Sequence, residues 1–141
     1  EDLSGSNRLV ANSLFKVLTG YEKDLGNDLK IGLQYLYEQT LDYGNYKANL
    51  SPTDFVFDES RHLLTQRITK FYKNQTICVS LFNFYSPSDK DGYIRPTVSY
   101  NISDQWKAIL GANLPWGEDD ITEFGQMKRN KNVYIRVRYS F

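Results

Sequence analysis

Residues 29–38 alternate between apolar and mostly polar side chains, and this alternation constrains the fold more than any other feature of the chain. The odd positions are Leu29, Ile31, Leu33, Tyr35 and Tyr37, and the even positions are Lys30, Gly32, Gln34, Leu36 and Glu38. A period of two places alternate side chains on opposite faces of a β-strand, whereas an α-helix would mix the two sets. The segment is therefore predicted to be a strand with one apolar face.

The same test predicts six further strands, at residues 9–22, 62–72, 76–85, 94–102, 106–116 and 132–141. The segment at 62–72 is the weakest, because Gln66 and Lys70 fall on its apolar face, and the segment at 76–85 carries a misplaced Asn83. Short connections at 23–28, 73–75 and 103–105 alternate with longer ones at 42–61, 86–92 and 117–131. This spacing predicts seven consecutive antiparallel strands, with short turns at one end and long loops at the other.

The composition excludes several classes of protein. The chain has 141 residues, about one domain's worth, and its 17 Lys+Arg balance 17 Asp+Glu, so there is no basic excess for nucleic-acid binding. One Cys rules out an internal disulfide or a cysteine-based zinc site. No apolar run approaches the ~18 residues of a spanning helix. The mean hydropathy of −0.54 nevertheless suits a barrel wall that averages a lipid-facing and a water-facing side.

Strand length and aromatic positions favour a membrane barrel over a soluble β-sandwich. Most segments reach the ~9–11 residues of a tilted spanning strand, whereas globular strands average about 5–6 residues. Several large aromatic residues fall at or near segment ends, as in the interfacial girdles of outer-membrane barrels. These residues are Tyr21, Tyr100, Trp106, Trp116 and Tyr139. A sandwich core would instead use Trp and Tyr sparingly.

The polar faces of these strands would line a water-filled lumen, and they supply the candidate functional residues. The lumen-facing candidates are Lys16, Lys30, Gln34, Glu38, Arg67, Arg95, Lys107, Arg136 and Arg138. Because pores select ions through side-chain charges at close quarters, this mainly basic set predicts a preference for anionic solutes. The alternative is that these charges pair with acids on another wall or on an infolded loop.

The C-terminus carries a resemblance to a known family. Residues 132–141 alternate up to a terminal Phe141, with Tyr139 and Val137 on the same face, and so resemble the closing strand of Gram-negative outer-membrane β-barrel proteins. Residues 19–39 and 84–117 are similar to the C-terminal hairpins of large porins. The resemblance implies a location in the bacterial outer membrane, contact with its lipid and lipopolysaccharide, and Val137, Tyr139 and Phe141 as a signal read by the barrel-assembly machinery.

The strand count departs from that family, whose single-chain barrels have an even number of strands. Either an eighth strand lies within residues 42–61, or residues 1–141 are one unit at the C-terminal end of a larger barrel of roughly twelve to eighteen strands. The fold predicted is an all-β, antiparallel, up-and-down transmembrane β-barrel. The resemblance also places the short turns on the periplasmic side and the long loops outside the cell.

The function predicted is a porin-like channel for passive or facilitated passage of small hydrophilic, preferentially anionic, solutes. One alternative is a sheath or scaffold for a partner protein, and another is a soluble β-sandwich binding domain. The sequence is also compatible with a homo-oligomer. No catalytic residue, cofactor or metal site is predicted. Ser60 and His62 lack an orienting acid, so they do not form a catalytic pair. The 86–92 segment lacks the acids of a calcium loop, and the acids at 118–120 are typical of a solvated loop.

Overall fold

A computed structural model describes residues 12–141, which form one antiparallel sheet of seven strands in sequence order. The strands are β1 (Leu14–Asp24), β2 (Leu29–Thr40), β3 (Ser60–Tyr72), β4 (Ile77–Ser86), β5 (Asp91–Asn101), β6 (Trp106–Gly117) and β7 (Asn132–Tyr139). Every predicted strand is therefore present, including the weak one at 62–72. The first predicted strand began at residue 9, and residues 9–11 lie outside the described part.

The strands pair only with their neighbours along the chain, so the topology is up-and-down. Within residues 12–141 the sheet is open, because neither β1 nor β7 has a second strand beside it. The closed barrel predicted from the sequence is thus not present in the described residues. These residues also form a single sheet rather than the two facing sheets of a sandwich.

Two of the predicted connections are corrected by the structure. The 86–92 segment is a four-residue turn at 87–90, because β4 and β5 stay paired as far as Ser86 and Asp91. The Ser86 hydroxyl lies 2.9 Å from Asp89 Oδ2 and accepts a bond from the Asp89 amide, which closes the turn. The connection from β2 to β3 contains a helix, α1 (Tyr43–Asn49), and no strand, so the eighth strand considered there is absent.

The register separates the side chains of the sheet into two faces. Residues directly opposite one another on neighbouring strands share a face, and Lys16, Glu38 and Arg61 form one such row across β1, β2 and β3. We call the side that carries this row the polar face and the other side the apolar face. The apolar face presents Val17, Ile31, Leu33, Leu64, Ile68, Val79, Leu81, Ile94, Val98, Leu110, Leu114, Ile135 and Val137.

Residues 12–141 form essentially one layer, and they bury very little apolar surface. Phe124 is their one large apolar side chain classed as buried, at 6% exposure. Many others are substantially exposed on the apolar face, among them Val98, Leu110, Val133 and Ile135. No helix in this part of the chain is long and apolar enough to cross a membrane.

Candidate functional site

All nine residues predicted to face a lumen lie on the polar face of the sheet. Lys16, Glu38 and Gln34 lie towards the end with the longer connections, which we call the loop end. Lys107, Arg136 and Arg138 lie towards the opposite, turn end. The remaining three are Lys30, Arg67 and Arg95. Of the residues assigned to the assembly signal, Val137 and Tyr139 lie on the apolar face, and Phe141 is fully exposed beyond the end of β7.

An ionic cluster at the loop end centres on Arg61, a residue that the sequence analysis placed in a loop. The Arg61 guanidinium lies 2.6 Å from Asp89 Oδ2, 2.6 Å from Glu123 Oε2 and 3.2 Å from Glu38 Oε2. Glu38 also pairs with Lys16. These five residues, the Arg61 cluster, join β1, β2 and β3 to the 87–90 turn and to the connection between β6 and β7. The two cations of the cluster, Lys16 and Arg61, are therefore paired with carboxylates.

The connection at 118–131 folds back over the polar face at the loop end. Phe124 stacks on Phe84 of β4 and Tyr93 of β5, with ring centroids 5.5 and 6.0 Å apart. The Phe124 amide donates a 2.8 Å hydrogen bond to Asp91 Oδ2, and the Asp91 side chain is fully buried. This connection is thus an infolded loop, but its acid Glu123 pairs with Arg61, which is not one of the nine predicted lumen residues.

Two glycines allow this loop to lie close to the sheet. A Cβ atom at Gly125 would collide with the Asp119 carbonyl oxygen, and one at Gly117 would lie 2.7 Å from the Gly125 Cα. Both contacts would be shorter than those that real Cβ atoms make, so any other residue at Gly117 or Gly125 would displace the loop. The turn Gly125–Met127 is a single 3₁₀ turn whose close packing requires these small residues.

The predicted lumen cations other than Lys16 and Lys30 have no acidic partner in the part of the chain that the structure describes. No carboxylate of residues 12–141 lies within ion-pair distance of Arg67, Arg95, Lys107, Arg136 or Arg138. Lys30 lies 3.8 Å from Asp24 Oδ2, and both side chains are exposed. The basic character expected of this face is therefore concentrated in its middle and at its turn end.

Tyr134 lies across the polar face among these cations. Its ring covers Gly111, where an added Cβ would come within 2.6 Å of the ring and of the hydroxyl. The hydroxyl interacts with Arg95 and Thr97, and the Arg136 guanidinium lies 6.0 Å from the ring centroid. A glycine opposite an aromatic residue on the neighbouring strand lets the ring lie flat on the sheet. Tyr134 therefore holds Arg95 and Arg136 on either side of it.

Aromatic residues occupy both ends of the apolar face. One row at the loop end runs through Tyr35, Leu64, Tyr85, Gly92 and Trp116 in direct register. The turn end carries Tyr21, Tyr72, Tyr100, Trp106 and Tyr139. Tyr85 stacks on Trp116, and Trp106 contacts Tyr139 at 4.9 Å between centroids. Between the two sets the face is mainly aliphatic, apart from Lys70 and from Gln66 and Asn83, which lie opposite each other.

Ser60 and His62 both lie on the apolar face, as expected from their spacing in a strand. The His62 Nδ1 atom is 2.6 Å from the Tyr35 hydroxyl, and its ring stacks on Tyr35 and contacts Tyr37. The Ser60 hydroxyl is 3.2 Å from the Tyr37 hydroxyl. Both side chains are thus bonded to tyrosines of β2 rather than to each other. Ser60 and His62 therefore lie next to the loop-end aromatic row on the apolar face.

No group of metal-ligating side chains occurs within residues 12–141. Two of the three acids in the 118–120 run pair with lysines instead: Glu118 lies 3.4 Å from Lys90 Nζ, and Asp120 lies 2.6 Å from Lys128 Nζ. The Lys128 ammonium lowers the pKa of the exposed Asp120 carboxyl. These acids therefore belong to the surface of a folded loop.

Comparisons of the chain with protein-family models, with curated proteins and with solved structures gave no match. The assignment of a function therefore depends on the geometry of the two faces.

Proposed function

We propose that this chain forms part of the wall of an outer-membrane β-barrel that acts as a porin-like channel. In this proposal the apolar face contacts lipid and the polar face lines a water-filled lumen. No residue of the chain catalyses a reaction in this proposal. The cations of the polar face give the lumen a preference for small anionic solutes. The polypeptide backbone crosses the membrane with its hydrogen bonds satisfied between strands.

The observation that carries the proposal is the separation of side chains across all seven strands of residues 12–141. One face is mainly aliphatic between two sets of aromatic residues, with Gln66, Lys70 and Asn83 as exceptions, and the other holds every one of the nine predicted lumen residues. Apolar strand faces bordered by aromatic girdles are typical of transmembrane barrels, in which the girdles lie at the two membrane interfaces. The polar face also carries aromatic residues, but Phe84 and Tyr93 pack against Phe124 and Tyr134 lies on Gly111.

The spacing of the girdles supports the same proposal. Trp106 and Trp116 lie at opposite ends of β6 on the apolar face, ten residues apart. Ten residues of strand span roughly 33 Å, and a tilt of about 40–45° reduces this to roughly 24 Å along the membrane normal. That distance agrees with the apolar band of about 25 Å in outer-membrane barrels.

The two open edges support a barrel larger than the described sheet. An exposed edge strand leaves a row of unpaired N–H and C=O groups, which lipid cannot satisfy. We therefore propose that β1 and β7 pair with further strands of a barrel of roughly twelve to eighteen strands. The exposed Phe141, with Tyr139 and Val137, would then act as the signal for the barrel-assembly machinery, and the loop end would face lipopolysaccharide.

The proposal is tested by recording single-channel currents of the purified full-length protein in a planar lipid bilayer. We expect discrete channel openings and, under a potassium chloride gradient, a reversal potential that indicates preferential passage of chloride. A closed barrel that conducts only after a bound protein is removed would contradict the channel and support the sheath. A protein that stays folded and monomeric in buffer without detergent would contradict both.

A further inference from the structure

The turn end of the polar face holds two cations directly opposite each other on neighbouring strands. Lys107 of β6 and Arg138 of β7 are cross-strand partners, so their side chains leave the sheet on the same side. Within residues 12–141 neither has a carboxylate at ion-pair distance. Like charges directly opposite one another destabilise a sheet, and a bound anion would convert this repulsion into attraction.

The same two residues line a cavity of about 590 Å³ at this end of the sheet. Its other lining residues include Asn74, Asn101 and Ser103, which supply amide and hydroxyl hydrogen-bond donors, and Asp104. The two cations outnumber the single Asp104 carboxylate, and together with the neutral donors they suit the cavity to an oxyanion. Arginine can bind such an anion through two parallel hydrogen bonds, and lysine adds a compact charge.

We propose that Lys107 and Arg138 form a binding site for a small divalent oxyanion of the phosphate class. The anion lies between the two side chains and receives further hydrogen bonds from the neutral donors of the cavity. The site deepens the proposed channel function and rests on it, because that function places this face in water. In this proposal the residues that produce the anion preference lie at the turn-end mouth of the lumen.

The loop end offers no equivalent site. There the cations Lys16 and Arg61 are already bound by Glu38, Asp89 and Glu123. An anion would have to displace those carboxylates, whereas at the turn end it meets unpaired cations. We therefore expect one mouth of the lumen to select anions and the other to be close to neutral.

The site is tested by isothermal titration calorimetry of inorganic phosphate into the purified full-length protein in detergent, at constant pH and ionic strength. We expect saturable binding, weakened about tenfold or more by Lys107→Ala and by Arg138→Ala, which corresponds to one charge-assisted contact each. Lys107→Arg is expected to retain binding, which separates loss of the cation from loss of folding. Lys23→Ala serves as the matched control, because it removes a cation at the same end of the sheet from the apolar face.

Absence of saturable phosphate binding to the unsubstituted protein would overturn the site, as would unchanged affinity in the Lys107→Ala and Arg138→Ala variants. Equal affinity for acetate and phosphate would also overturn it, since two cations one strand apart favour a divalent anion. The titration does not depend on conduction. A protein that conducts without binding phosphate would refute the site alone, and one that binds phosphate without conducting would refute the channel alone.

Discussion

Replacing Arg61 with alanine is expected to lower the free energy of unfolding by about 2–3 kcal/mol. The loss has two parts. Three carboxylates lose their common partner, and the side chains of Glu38 and Asp89, about nine-tenths buried, are left with less compensation for their charge. Glu123 is about half exposed and contributes less, because solvent screens its pair. Urea unfolding of the full-length protein in detergent measures the change.

Arg67→Ala is the matched control for this prediction. Arg67 lies on the same strand and the same face as Arg61, but it has no carboxylate within ion-pair distance in residues 12–141. Its removal is expected to change the free energy of unfolding by no more than about 0.5 kcal/mol. If the two variants lose similar stability, the Arg61 cluster does not hold the loop and the sheet together.

Introducing an arginine on the apolar face is expected to be costly only where that face meets lipid. Leu81 lies at the middle of β4 on this face, next to Ile68 and Pro96 on the neighbouring strands. A charge at the centre of the lipid-facing band of a barrel costs about 2–4 kcal/mol. We therefore expect Leu81→Arg to reduce the unfolding free energy of the full-length protein in lipid vesicles by that amount.

Ser80→Arg provides the comparison on the other face. Ser80 precedes Leu81 in β4, points to the polar face and lies opposite Thr69 and Thr97, which carry no charge. The new guanidinium would extend into water, so the cost is expected to stay below about 1 kcal/mol. Equal costs for the two variants would mean that the two faces meet the same surroundings, and the assignment of the apolar face to lipid would then be wrong.

The strands could be predicted from the sequence because their pattern is local. In residues 29–38 the period of two is strict, and it assigns each side chain to a face before any pairing partner is known. The strand at 62–72 was predicted because its neighbours require a strand there, and Gln66 and Lys70 do interrupt its apolar face as the alternation indicated. The turn between β4 and β5 was predicted three residues too long, because both strands extend beyond the clearly alternating residues and are held there by the Ser86 and Asp89 contacts.

The Arg61 cluster could not be predicted in the same way. Its members come from β1, β2, β3, a turn and the 118–131 loop, so no local period relates them. The fold of that loop depends on Phe124 reaching Phe84 and Tyr93, a contact between distant positions in the chain. The sequence assigned cations to the polar face but did not show which of them are paired with acids. The packing of the 118–131 loop is what separates the paired cations from the unpaired ones. An isolated phenylalanine among acids and glycines was the one available signal.

Cysteine labelling along β5 determines directly whether one face of the sheet meets lipid and the other meets water. In a Cys78→Ser background, single cysteines are placed at residues 94–99 of the full-length protein in lipid vesicles and exposed to a water-soluble maleimide. We expect rapid labelling at positions 95, 97 and 99 and protection at positions 94, 96 and 98. Labelling at similar rates on both faces, or protection of the polar face alone, would contradict the assignment of the apolar face to lipid.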